Sequence, residues 1–544
     1  MRIKPQWIRL AVALALGTVG VRLKAEAPGE VVGPTVELPP FTVTDTRLLP
    51  KPESWRYASV PGFEFLTNVA PDDLQDILDH LMAFRRAVDA VWPVSQMKDE
   101  VPAAIIFCEN RATYAEFCPP SMPQESTHLF VNGDEAILVL NAGLDETFGA
   151  GGSEDTQDDL QWFYVDAVLH RIGDHAPPWL REGLERLLRA MVLSGENFEI
   201  PAVADGTLAA RQPGSDEGLK KAIGDGTFLP LGRVFSAEPK SGIVPSGPWS
   251  DECCEWAHLC LLGAQGKYRL PFLKFALLAS REPADEAQFR QLFGMDYQGM
   301  LAVLWHDADF AKPTGFKITG AEAPEPQIAF RSATDGEVGR LRGETLLCQD
   351  LNDAAHLSLI APYTRGSRDP QLLASLGLQE ALAGRDGRAR LFLEAAAAAR
   401  TTRARAYAEL ARLRLDAALA QPKGTSGTLS VEQLAWVFEP LASALKLPPA
   451  LPDTYLVLAD GWAHSSVRPR PGHLALIDQG AERFPFDTDL AYRDATVHLQ
   501  FGDAAGALGL CEIGLWTAKT DADRDRFRAL RIRAQAQAPA SPAG

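Results

Sequence analysis

The residues whose types and spacing could do chemistry lie in one stretch, QDDLQWFYVDAVLHRIGDHAPPWLREGLERLL, at 157–188. A hydrolytic zinc site places two ligands at i and i+4 of a helix, so that both leave one face toward one ion. A carboxylate beside the first ligand then takes the proton from the metal-bound water. His170 fills the first ligand position and Asp174 the second. His175 lies one residue further, about 140° around the helix from His170 rather than about 40°. Arg171 replaces the general base, and a guanidinium neither accepts a proton at neutral pH nor tolerates a nearby cation. This set therefore offers vestigial or weak metal ligands and no catalytic residue. No cofactor is expected, and zinc is the ion the set would take.

Trp179-Leu180-Arg181-Glu182-Gly183-Leu184 resembles the W-L-x-E-G-L element that follows H-E-x-x-H in peptidase MA-like gluzincins. That group includes secreted bacterial proteins with tetratricopeptide tails. The resemblance runs from about Trp55 to Phe310. Phe228–Phe235 is similar to the L-P-L-x-x-L-F segment of these families, and Cys254–Leu259 to their Y-x-x-S-W-A-x-V helix. It implies an α+β gluzincin-like (zincin) domain, with Glu182 as third metal ligand. It also implies a cleft whose edge strand holds an extended peptide by backbone hydrogen bonds. The departures fall on the catalytic positions. Asp251–Glu255 offers no tyrosine to stabilise an oxyanion, and Tyr268 is too far along to replace it. The resemblance thus implies a non-catalytic homologue of zinc metallopeptidases. A structural reading of the same residues stays open: His170 as a buried, hydrogen-bonded histidine against Glu182, and Arg171 ion-paired with Glu182 or Glu185.

The elements that must position these residues are legible from periodicity. Gly62–Asn68 alternates like a strand, and Leu74, Ile77, Leu78, Leu81, Phe84 and Val88 mark a helix from about Pro71 to Val91. Val101–Phe107 reads as a buried strand, Arg111–Phe117 as a short helix, and Thr127–Val131 with Ala136–Leu140 as a hairpin around Asn132-Gly133. Leu160, Phe163, Tyr164, Ala167 and Val168 form the apolar stripe of the helix that carries His170. His258 and His306 stand alone on helical segments and read as core or surface residues.

Residues 313–366 are rich in Pro and Gly and read as a connector. From about Asp369 the pattern becomes helix pairs. Leu376-Gly377, Ala389, Leu393 and Ala396 match the spacing of a tetratricopeptide repeat, and the interval from Gly384 to Ala389 recurs from Gly502 to Ala507. Val431–Leu445, Asp453–His464 and Gly472–Phe484 have helical length. An all-α tetratricopeptide-like domain over 367–540 follows, its concave face suited to a peptide or empty as a spacer. Arg388, Arg390, Arg400, Arg403 and Arg405 read as solvated, ion-paired surface.

Of 544 residues, 46% are hydrophobic, which requires more than one globular core. The net charge of −18 argues against nucleic acid or an anionic membrane as partner. Residues 1–27 read as a signal peptide: a basic start, the apolar run Leu10–Val21 and the cleavage site Ala25-Glu26-Ala27. Arg22 and Lys24 leave an uncleaved signal anchor open, with no stable membrane span beyond it. Residues 28–54 form an extended linker ahead of the peptidase-like domain at 55–312. Seven cysteines leave at least one unpaired if the rest form disulfides. Cys108 and Cys118 are the expected pair in an oxidising compartment, and Cys253, Cys254 and Cys260 read as buried thiols. The expectation is an exported pseudo-peptidase, periplasmic or extracellular, that binds protein or peptide through the cleft and the repeat tail. An active zinc metallopeptidase with atypical ligands and a structural scaffold of the bacterial envelope are the alternatives.

Overall fold

A computed structural model describes residues 55–60, 62–92, 103–119, 127–132, 135–141, 160–166, 168–169, 176–194, 197–200, 228–236, 248–279, 285–310, 314–317, 328–420, 428–484, 487–518 and 520–537. The first half is built on six strands: β1 (Arg56–Val60), β2 (Phe63–Thr67), β3 (Ala103–Cys108), β4 (Thr127–Asn132), β5 (Glu135–Asn141) and, far along the chain, β9 (Arg331–Ser332). Their order is β4-β5-β3-β2-β1-β9. Strands β2, β3 and β5 are parallel, while β1, β4 and β9 are antiparallel to their neighbours. A second sheet joins β6 (Val192–Ser194), β7 (Asn197–Ile200) and β8 (Thr314–Lys317). The expected hairpin is β4–β5; the flanking strands and the long helix stand within two residues of their expected bounds, while the short helix expected over Arg111–Phe117 ends at Tyr114.

Alternation decides which side chains face which layer. Phe63 and Phe65, Ile105 and Phe107, and Leu138 and Leu140 enter the larger core on one face. That core is filled by helices α1 (Pro71–Val91), α3 (Pro178–Arg189), α4 (Leu231–Ser236), α5 (Pro248–Leu261), α6 (Arg269–Ala279), α7 (Glu286–Phe293) and α8 (Tyr297–Phe310). The intervening residues Leu66, Ile106 and Val139 face the other way, beside Phe117 just past the short helix α2 (Arg111–Tyr114). Residues 160–166 and 168–169 are helical, and Leu160, Phe163, Tyr164 and Val168 are buried as their spacing predicts.

The second half is helical throughout: α9 (Asp335–Leu347), α10 (Asn352–Thr364), α11 (Pro370–Leu382), α12 (Asp386–Ala398), α13 (Ala404–Ala420), α14 (Val431–Phe438), α15 (Leu441–Ala444), α16 (Pro452–Ala463), α17 (Pro471–Arg483), α18 (Thr488–Gln500), α19 (Ala504–Thr517) and α20 (Asp521–Gln537). The pairs α9–α10, α11–α12 and α18–α19 pack most closely. A Cβ on Gly377 would meet Leu393 Cγ at 2.6 Å, so the glycine permits the α11–α12 approach. Gly384 and Gly502 occupy equivalent left-handed turns, φ +69° and +86°. After each, the next amide donates to the carbonyl five residues back, Arg385 to Glu380 and Asp503 to His498. The sequence repeat is thus a repeat of helix termination.

The stretch expected as a connector differs from that expectation. Arg331–Ser332 extends the sheet as β9, and 335–364 forms the first helix pair. Val338 and Leu341 of α9 share a core with Leu66, Ile106 and Val139. The polar residues of α9 mask this burial in the sequence. None of cysteines 108, 118, 253, 254, 260, 348 and 511 forms a disulfide. Cys108 and Cys118, the expected pair, therefore share no disulfide and are buried beside Phe117.

Candidate functional site

Of the residues singled out for metal chemistry, His170, Arg171, Asp174 and His175 lie outside the described residues. Glu182 is described, half-buried on α3. Proline at the first turn starts α3, and Trp179, Leu180, Leu184, Leu187 and Leu188 bury one face of it. The helix crosses α5 at Gly183, where a Cβ would stand 2.4 Å from the Cys253 carbonyl oxygen. The glycine of the Glu-Gly-Leu element is therefore demanded by helix packing. Burial and then the nearby Glu182 carboxylate push the Cys253 thiol well above its usual range. Burial likewise raises Cys254. Both side chains are protonated core residues.

Ion pairs frame this helix pair. Arg186 pairs with the buried Asp251 of α5. Arg189 bridges Glu185 at 2.7 Å and Asp166 at 2.8 Å, with its guanidinium 4.0 Å above the Trp162 ring. Glu185, considered above as a partner for Arg171, thus has Arg189. Tyr268 is buried against Phe293. His258 is buried, and His306 is exposed on α8. Burial lowers His258 to about 4, so its ring is neutral, and Nδ1 stands 3.9 Å from Glu255, too far for a hydrogen bond.

Beside this core, β4 ends the six-stranded sheet. Its outer edge pairs with no strand among the described residues. His128 and Phe130 turn inward, and the Tyr114 hydroxyl bonds His128 Nδ1. Leu129 and Val131 project from the other side, 37% and 48% exposed. They stand opposite Leu138 and Ala136 on β5, on the face that carries the larger core. Sheet edges are usually blunted by charge, proline or a covering loop, so two exposed apolar residues at alternate positions are unusual.

A concavity of about 440 Å³ lies between the sheet and the helical half, lined among others by Tyr57, Phe63, Ile137, Gln371 and Pro448. Five charged side chains run through its wall. Glu64 of β2 accepts from Tyr57 at 2.8 Å and from Arg340 of α9. Arg340 also donates to Glu344 at 3.2 Å. Arg403 joins Glu344 to Glu135 of β5, with Nε 2.6 Å from Glu135, and donates to Ser375 at 2.8 Å. Burial works to raise Glu344, but Arg403 and Arg340 outweigh it and hold the carboxyl below its ordinary value. This chain was invisible in sequence: Arg340 lies 276 residues from Glu64 and Arg403 lies 268 from Glu135. Arg403, expected as solvated surface, is largely buried because β5 supplies its partner. Each charge has an opposite neighbour, so the network is built as a structural tie.

Among the described residues, no helix is long and apolar enough to cross a membrane. No protein-family model matches the chain, and no curated protein matches its sequence. Among solved structures, a thermophilic TPR protein of Thermus thermophilus is similar at 18% identity and a TM-score of 0.27. The match covers 37% of this chain and 96% of that protein.

Proposed function

We propose that the protein is an exported pseudo-peptidase: a gluzincin-like domain whose base has become Arg171 and whose second His has become Asp174, fused to tetratricopeptide-like helix pairs. Its function is to hold protein or peptide segments in extended form. The observation that carries the reading is β4, an edge strand with Leu129 and Val131 exposed at alternate positions. An added strand would satisfy the edge amides and carbonyls, and its own apolar side chains would cover Leu129 and Val131.

The test is a selection of displayed extended peptides on the purified mature protein, followed by hydrogen exchange on the complex. Protection of the 127–132 amides, and at least about tenfold weaker binding in a Leu129→Lys/Val131→Lys variant, is the expected result. Peptides that bind without protecting β4, or bind the double variant equally, would overturn it. Hydrolysis of the selected peptides, with about one zinc per chain lost in His170→Ala, would replace it with an active metallopeptidase.

A further inference from the structure

A cluster remote from the α3–α5 crossing has ligand chemistry of its own. Asp494 and His498 stand at i and i+4 on α18, so both side chains leave one face. Asp478 reaches them from α17, its Oδ1 2.7 Å from His498 Nε2. Asp494 Oδ1 stands 3.5 Å from the same nitrogen. The ligand atoms of Asp478, Asp494 and His498 all lie within 4.8 Å of one another. We infer that these three residues form a binding site for a divalent transition-metal ion, zinc in the first instance, stapling α17 to α18.

Three observations argue against a plain ion-pair cluster. Asp494 is fully buried, and its two carboxylate oxygens receive no hydrogen bond among the described residues. A buried carboxylate in that state is met either by a proton or by a cation in contact with it. Second, the imidazole is already oriented. Asp503 caps α19, accepting from the Gly506 amide at 3.0 Å through Oδ1, and bonds His498 Nδ1 at 2.7 Å through Oδ2. Nε2 itself bonds Asp478 Oδ1 at 2.7 Å; with the Nδ1 proton held by Asp503, release of the Nε2 proton on metal binding would turn its lone pair toward an ion between Asp478 and Asp494, the arrangement that metal-binding histidines show. A Cβ on residue 506 would come within 2.7 Å of Nδ1 and 2.5 Å of Asp503 Oδ2, so glycine keeps this bond open. Third, three carboxylates surround one imidazole. With all three ionised, even a protonated ring leaves two negative charges, which a divalent ion would neutralise.

Imidazole and carboxylate suit zinc, with ligand distances near 2.0–2.2 Å. The 3.5 Å gap from Asp494 to His498 already matches two ligands on a tetrahedral ion. Asp478, 40% exposed, is free to swing outward by the remaining fraction of an ångström. Its open side gives the ion an entry path and leaves a coordination position for water.

The experiment uses the full mature chain, stripped with chelator and titrated with cobalt(II) and zinc(II). Readouts are the visible bands of bound cobalt, elemental stoichiometry and melting temperature. The expected result is about one equivalent bound, with Asp494→Asn and His498→Ala each weakening affinity at least about tenfold. Asp503→Asn should weaken it about 10–100-fold, and His170→Ala should leave it unchanged. Asp478→Asn, at the exposed position, serves if the buried variants fail to fold: it should abolish the metal-dependent rise in melting temperature. No uptake by the wild type overturns the proposal. Uptake that survives Asp478→Asn and His498→Ala but is lost in His170→Ala also overturns it, and would place the ion on the other helix.

Discussion

At the scale of single residues, two of the buried ionisable groups on α5 make opposite demands. Burial lowers His258 to about 4 from an ordinary 6.5. Its contribution to stability is fully present above about 6.5 and is lost as pH falls toward 4. Burial raises Glu252 to about 8 from 4.5, with neighbouring Asp251 adding to the rise and the Leu229 amide, which donates to it, opposing. Its contribution is present below about 4.5 and is lost as pH rises through 8. Between about 4.5 and 6.5 the two slopes cancel. From 6.5 to 8 Glu252 alone of these two acts, and about 1.5 pH units correspond to roughly 2 kcal/mol lost from it. Urea unfolding across that range should show a loss in the wild type that is smaller by about this amount in Glu252→Gln. Equal slopes in both would mean that Glu252 is solvated and α5 is not the core helix described here. Neither group was readable in sequence as perturbed. Cys253, Cys254 and Cys260 were, because three cysteines on an apolar helix without metal-ligand spacing read as buried thiols.

At the scale of elements, the crossing of α3 and α5 depends on one atom's absence. Gly183→Ala places a methyl group 2.4 Å from the Cys253 carbonyl, and backbone cannot move aside as a flexible side chain can. The expected cost is about 1–3 kcal/mol in chemical denaturation. Gly387→Ala is the control: nothing lies within 4 Å of its Cβ, and it sits in the exposed first turn of α12. It should be neutral or gain about 0.5–1 kcal/mol. A Gly183→Ala variant as stable as the wild type would show that the helices are further apart than this. The Glu-Gly-Leu element was legible as a motif, but a sequence motif does not say whether its glycine serves a substrate or a neighbouring helix. The Gly384 and Gly502 repeat was legible for a physical reason, since both glycines adopt a left-handed turn that other residues resist.

At the scale of the molecule, α9 belongs to two bodies. One side shares a core with the sheet through Val338 and Leu341, with Arg342 paired to Glu116 and Gln349 donating to the Phe117 carbonyl at 2.7 Å. The other side packs on α10. The Glu64–Arg340–Glu344–Arg403–Glu135 chain adds polar ties from two strands to α9 and to the approach to α13. Removing one partner from such a buried set leaves a charge uncompensated and costs about 3–5 kcal/mol. The two halves should therefore not separate cleanly. A fragment ending at residue 330 uncovers Leu66, Ile106 and Val139, and should bind a hydrophobic dye and aggregate in size-exclusion chromatography. A monomeric fragment that binds no dye would show the sheet needs no cover from α9.

The sequence by itself determined the local grammar: the strand–helix–strand–hairpin order, the apolar stripe of 160–169, the helix pairs beyond Asp369 and the turns that end them. These follow from periodicity, capping and glycine geometry, which act over a few residues. The i, i+4 spacing of Asp494 and His498 was equally readable, yet spacing alone could not distinguish it from other acid–histidine pairs. Only the tertiary structure brought Asp478 and Asp503 to that histidine and stripped Asp494 of solvent. Only it turned a stretch rich in Gly and Pro into β9 and the seam helix, and gave Arg403 a partner on β5. Burial and charge pairing between residues hundreds of positions apart depend on which faces meet, and no local pattern records that.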